Sequence, residues 1–131
     1  MKVFDSTNIP LLGKALDAYA LRQRALASNI ANITTPGYKS QSVSFEDQLA
    51  KASNGLSLRS GSESIEDIQP RVYETSEDQP DGYNPMASGF NDVDIDYEMA
   101  ELAKNQIRFK FTSRLLGDTF KGLQKAIRGS L

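Results

Sequence analysis

Four acidic residues at alternate positions, Asp92, Asp94, Asp96 and Glu98, form the array in this chain best suited to chemistry. Alternating carboxylates supply hard oxygen ligands, and a calcium loop opens on that spacing. The rest of such a loop does not follow. With Asp92 at position one, the sixth position needs Gly for a sharp turn and is Tyr97, and the twelfth needs a bidentate Glu and is Ala103. The acids read better as the start of a helix, where the macrodipole favours negative charge.

Other chemistry lacks its parts. The 131 residues include no His and no Cys, which removes the commonest catalytic base, the commonest metal ligand, thiolate sites and disulfides. Ser and Thr are plentiful but have no base to activate them. Neither G-x-G-x-x-G nor G-x-x-x-x-G-K occurs. No catalytic residue, metal site or cofactor is expected, and the chain does not read as an enzyme.

The charge is polarised along the sequence, although the net formal charge is only −2. Gly61 to Glu98 holds eleven acidic residues against Arg71, whereas Met99 to Leu131 holds seven basic residues against Glu101 and Asp118. The basic residues are spread around their helix, and the acidic middle would repel a polyanion, so nucleic acid is not an expected partner. Packing between copies of the chain suits this polarity. No run approaches the apolar length of a membrane span, and Met1 to Pro10 does not read as a cleavable signal.

A second local arrangement is unusual. Asn29 and Asn32 stand at i, i+3 just before Thr34-Thr35-Pro36-Gly37-Tyr38. Their amides can bond the carbonyls left unpaired at a helix end, or a neighbouring chain. Pro36 disfavours helix at Thr35, and Gly37 can take positive φ.

Two long elements must position these groups. Leu12, Leu16, Tyr19, Leu26, Ile30 and Ile33 step by four and three, with Gln23 in the polar slot, predicting an N-terminal helix capped by Asn8 with Pro10 in its first turn. Ile95, Met99, Leu102, Phe109, Leu116, Phe120, Leu123 and Ile127 repeat that step from about Asp94 to Arg128, with Gln106 and Ser113 in the seam. Acids open this helix, bases close it, and Gly129 stops it. Phe111 and Leu115 lie off the seam, beyond what one partner helix covers.

The fold expected is mainly α: the long terminal helices pair as an antiparallel coiled coil around an irregular middle that can include a short β-hairpin at Val72-Tyr73. The parts are 1–38 with the helix and its turn, 39–92 with a short helix near 44–52, and 93–131, the two terminal helices forming one domain. Two apolar stripes barely offset the entropy of ordering so many residues, so assembly is expected to complete the fold. These two stripes are the expected assembly seam.

The segment Asn29-Ile30-Ala31-Asn32-Ile33-Thr34-Thr35-Pro36-Gly37-Tyr38 resembles the N-terminal signature of the bacterial flagellar rod and hook proteins. Its signature positions here are Asn29, Ala31, Asn32, Thr35, Pro36, Gly37 and Tyr38. The short length, Leu21-Arg22-Gln23-Arg24 before the signature, and Phe45 with Leu49 after it are most similar to the proximal rod members. Val93 to Met99, Asn105, Phe109 and Ile127-Arg128-Gly129 are similar to the family's C-terminal helix. The resemblance implies a structural rod subunit that self-assembles through its terminal helices, lies in the periplasmic basal body, and is exported by the flagellar apparatus without a cleaved signal. It implies as partners other copies of the chain, neighbouring rod proteins of the FlgC and FlgF types, and a FliE-type adaptor at the membrane ring. A soluble coiled-coil adaptor or export chaperone is the alternative the residues leave open.

Overall fold

The computed structural model describes residues 8–50, 69–74 and 93–129. The elements in chain order are α1 (Ile9–Ala31), β1 (Gln41–Ser44), α2 (46–50 among the described residues), β2 (Arg71–Glu74) and α3 (Ile95–Arg128). The irregular middle expected from Ser53 to Phe90 lies, apart from 69–74, outside the described residues, as does the start of the chain before Asn8.

Helix α1 has Pro10 in its first turn, where no intrahelical N–H bond is lost. Asn8 occupies the N-cap position, and its carbonyl accepts from the Leu12 N–H at 2.9 Å. The side-chain cap expected of Asn8 does not form. At φ −73° and ψ 4° its backbone is close to helical, not in the extended conformation from which a side chain reaches the next N–H groups. The helix ends through Asn32 N–H to Ser28 O and Thr35 N–H to Asn32 O, and Gly37 takes φ +73° to reverse the chain.

Helix α3 follows its sequence signals. The Asp94 carboxylate caps it by accepting from the N–H groups of Asp96 and Tyr97 at 2.9 and 3.3 Å. Lys125 and Arg128 occupy the last turn, and Gly129 stops the helix at φ +63°.

Strands β1 and β2 pair antiparallel, with Gln41 opposite Glu74 and Ser44 opposite Arg71. Val72-Tyr73 thus lies in a strand as the sequence suggested. Its partner, Gln41–Ser44, was not legible as a strand because Val43 is its one apolar residue. Lys39 reaches Glu74 at 3.7 Å, and the Gln69 N–H donates to the Gln48 side chain at 3.1 Å, tying β2 down at both ends.

The two long helices run antiparallel. Asn29 meets Glu98 at one end of the contact, and Tyr19 and Gln23 meet Asn105 further along. At about 1.5 Å per residue, α3, with 34 residues against 23 in α1, extends well past Ile9. The apolar core sits elsewhere. Ala15, Ala18, Tyr19 and Ala25 of α1 close on Val43 and Phe45, flanked by Leu21 and Leu49. Small residues on that face let the β1–α2 segment approach the helix backbone. Among the described residues no α3 side chain belongs to this cluster.

Candidate functional site

The Asn29 side chain is the centre of the helix-end arrangement and is 1% exposed. Its Nδ2 donates to Gln41 O at 2.9 Å, and its Oδ1 accepts from the Gln41 N–H at 2.8 Å. One amide thereby serves both backbone groups of the first residue of β1, as a neighbouring strand would. Nδ2 also donates to Glu98 Oε1 at 3.0 Å, joining α3 to the same node. The Tyr38 hydroxyl completes it, donating to Asn29 Oδ1 at 3.2 Å and lying 3.0 Å from Ser28 Oγ. Asn32 acts one turn on: its Nδ2 donates to Ser28 O at 2.8 Å, and its Oδ1 accepts from Thr35 Oγ1 at 3.2 Å. Ala31, Thr35, Pro36 and Gly37 are exposed. The signature is therefore a clamp that ends α1, turns the chain and starts β1, with one charged contact to α3.

A second node lies between the helices and α2. Arg22 donates to both Glu46 carboxylate oxygens and, at 2.5 Å, to Val43 O, while its guanidinium lies 4.7 Å over the Phe45 ring. Arg108 of α3 reaches the same carboxylate at 3.3 Å. The sequence carries Arg22 inside the Leu21–Arg24 run, but its partner 24 residues on is fixed only by the fold.

The seam between α1 and α3 is polar on the α3 side. Glu98, Asn105 and Thr112, seven residues apart, are its buried positions. Asn105 Nδ2 donates to Tyr19 O at 3.0 Å and to Gln23 Oε1 at 3.1 Å. Glu98 Oε2 and Asn105 Oδ1 are buried without a hydrogen-bond partner among the described residues. Burial pushes the Glu98 carboxyl above the usual carboxylate range, with nearby Glu101 and Asp94 adding to it, against the opposing bond from Asn29. For Glu46 burial pushes upward too, but the Arg22 hydrogen bond and charge and local N–H groups more than offset it, and its pKa is lowered.

These two carboxyls give opposite pH signatures. A raised folded pKa means the Glu98 contribution improves as pH falls through that pKa and levels off below the unfolded value of 4.5. The stability of the native chain relative to Glu98→Gln should therefore rise on acidification. The Glu46 contribution is present above 4.5 and lost as pH falls through its lower folded pKa, so the comparison with Glu46→Gln should fall. Denaturation of the three chains between pH 7 and pH 3 checks both signs, and parallel curves would contradict the assignment.

The expected seam residues divide. Tyr19 and Leu26 are buried; Leu12, Leu16, Ile30, Ile33, Leu102, Leu116 and Leu123 are half-buried; Ile95, Met99, Phe109, Phe120 and Ile127 are exposed. The buried line of α1 runs one residue earlier, through Leu11, Ala15, Ala18, Ala25 and Asn29. The reason is that α1 has two neighbours, β1–α2 and α3, and its alanine face goes to the first. Sequence reading put polar Gln106 and Ser113 in the α3 seam and Asn105 only in the family resemblance, whereas the buried positions are Asn105 and Thr112, one residue earlier and at seven-residue intervals from Glu98. Ile107 and Phe111, each 69% exposed, extend the uncovered apolar surface to the outer side of α3.

Among the described residues no group of three acidic side chains could hold a metal ion, and no helix is long and apolar enough to cross a membrane. Residues 12–39, which span the clamp, match the family described as flagella basal body rod protein. The chain is 34% identical to the flagellar basal body rod protein FlgB of Bacillus subtilis, covering 98% of both chains. It is 32% identical to FlgB of Borreliella burgdorferi over 86% of this chain and 90% of that one. With FlgB of Salmonella typhimurium it shares 29% identity over 88% of this chain and 89% of the other. A relative this similar over nearly its whole length, with the family match lying on the Asn29–Tyr38 clamp, means that the chain belongs to the FlgB-type flagellar basal body rod proteins, a structural family and not a known enzyme family.

Proposed function

We propose that the chain is a structural subunit of the proximal flagellar rod, assembling through the outward faces of its terminal helices. The observation that carries this reading is the surface of α3. Ile95, Met99, Ile107, Phe111, Leu115, Phe120 and Ile127 are all exposed, while the side of α3 facing α1 buries Glu98, Asn105 and Thr112. A helix that buries polar residues inward and shows apolar ones outward is built for further neighbours. In the rod those neighbours are other copies of the chain and rod proteins of the FlgC and FlgF types, with a FliE-type adaptor at the membrane ring. The flagellar export apparatus delivers the chain to its periplasmic position.

Phe111→Asp tests the reading. At an exposed position the change should alter the stability of the free subunit by no more than about 0.5 kcal/mol, but in an assembled wall it would bury an unpaired charge at a cost of several kcal/mol. Folded, unchanged protein that no longer fractionates with basal bodies, in non-motile cells, is expected. Normal motility, or a native chain that stays soluble in the cytoplasm as a chaperone or adaptor would, refutes the proposal.

A further inference from the structure

The basic half of α3 carries an open depression of about 380 Å³, lined by Phe109, Ser113 and Gly117 together with Lys110, Arg114 and Lys121. Phe109, Ser113 and Gly117 are spaced four apart and so lie along one side of the helix. Lys121 pairs with Asp118 at 3.5 Å, which also borders the depression. Lys110 and Arg114 have no ion pair among the described residues. A Cβ built on Gly117 would meet nothing within 4 Å among the described residues, whose packing does not require glycine there. Glycine in a helix interior is the least favourable ordinary residue after proline, and its presence beside a cationic rim leaves room for an incoming chain.

The first turns of the same helix have the complementary chemistry. Asp96 is exposed between exposed Ile95 and Met99, next to the Asp94 cap. Acid flanked by apolar side chains matches a depression with an aromatic wall and a basic rim. Asp96 and Gly117 lie 21 residues apart on one straight element, about 30 Å at 1.5 Å per residue, so no chain can make this contact with itself. Resting on the rod reading above, we infer that the acidic first turns of α3 in one copy (Asp94 to Met99) dock into the Ser113–Gly117 depression of the next, the two helices parallel and staggered. Each copy then keeps one free depression and one free end, and the contact propagates. An antiparallel pairing of the same surfaces would close as a dimer and stop.

The native chain has no Cys, which makes the contact directly readable. Cells carrying only a chain with Asp96→Cys and Gly117→Cys, oxidised while motile, should give a disulfide ladder of dimers, trimers and larger species. Each single variant should give none. Dimers alone from the double variant, symmetrical dimers from either single, or no cross-link in motile cells would each overturn the inference. If the ladder is missing while Phe111→Asp still abolishes rod incorporation, the rod reading stands and this contact falls. A second variant separates docking from folding. Gly117→Leu should raise the melting midpoint of the free subunit and yet lower motility. Full motility in Gly117→Leu cells would contradict the docking.

Discussion

Phe45→Ala is expected to cost about 3–5 kcal/mol of folding free energy, a large share of the roughly 5–15 kcal/mol available to a small domain. Phe45 is 1% exposed and is the largest fully buried side chain among the described residues. Its ring meets Tyr19 edge-on at 5.0 Å between centroids and an interplanar angle of 81°, a favoured aromatic arrangement. Arg22 covers it on another side and holds Glu46 and Val43 O from there. Besides Tyr19, the α1 members of the buried cluster are Ala15, Ala18 and Ala25, side chains too short to collapse into the space the ring would leave. Loss of the ring thus combines lost burial with a persistent cavity. Chemical denaturation should show a much lower midpoint with little change of slope, and a loss below about 1 kcal/mol would mean that the core lies elsewhere.

The second large effect is expected at Asn29. Asn29→Leu keeps the branched shape but removes a donor and an acceptor serving Gln41 N–H, Gln41 O, Tyr38 and Glu98. Each buried group left without a partner costs about 1–3 kcal/mol, so a loss of at least about 2 kcal/mol should follow. The turn from α1 into β1 should loosen with it. Amide hydrogen exchange should show this as lost protection at Gln41, with residues late in α3 unaffected. Asn29→Asp gives a finer reading. It retains an acceptor for the Gln41 N–H and places a second carboxylate against Glu98, whose pKa is already raised. This variant should be poor near neutral pH and recover on acidification more steeply than Asn29→Leu, in which only the Glu98 carboxylate is left to be protonated. Equal behaviour of the two variants across pH would show that the Asn29–Glu98 contact carries little.

Both predictions concern the N-terminal unit, and both leave the outer surface of α3 intact. Phe111→Asp acts in reverse, on assembly without folding. Measuring the three variants for stability and motility therefore separates the core that makes the subunit from the surface that joins subunits.

Much of this organisation was legible along the chain. The two end helices, the Pro36-Gly37 turn, the Asp94 acids that open α3 and the Gly129 that stops it all follow from local rules, because caps, breakers and helical period act over a few residues. The Asn29–Tyr38 segment pointed to the rod family because its residue types are dense and ordered at a single place. What only the tertiary structure decided is which face of each helix meets which neighbour. A period of 3.6 residues marks a stripe but not its partner, and on α1 two neighbours compete for adjacent faces. The alanines that pack against Phe45 are too small to stand out beside Leu12 and Leu16. Glu98, Asn105 and Thr112 look like a solvent face by type but are buried, and Asn29, Tyr19 and Gln23 supply bonds to Glu98 and Asn105 from another helix. Strand pairing of Gln41 with Glu74 spans 33 residues, and no local rule reaches that far.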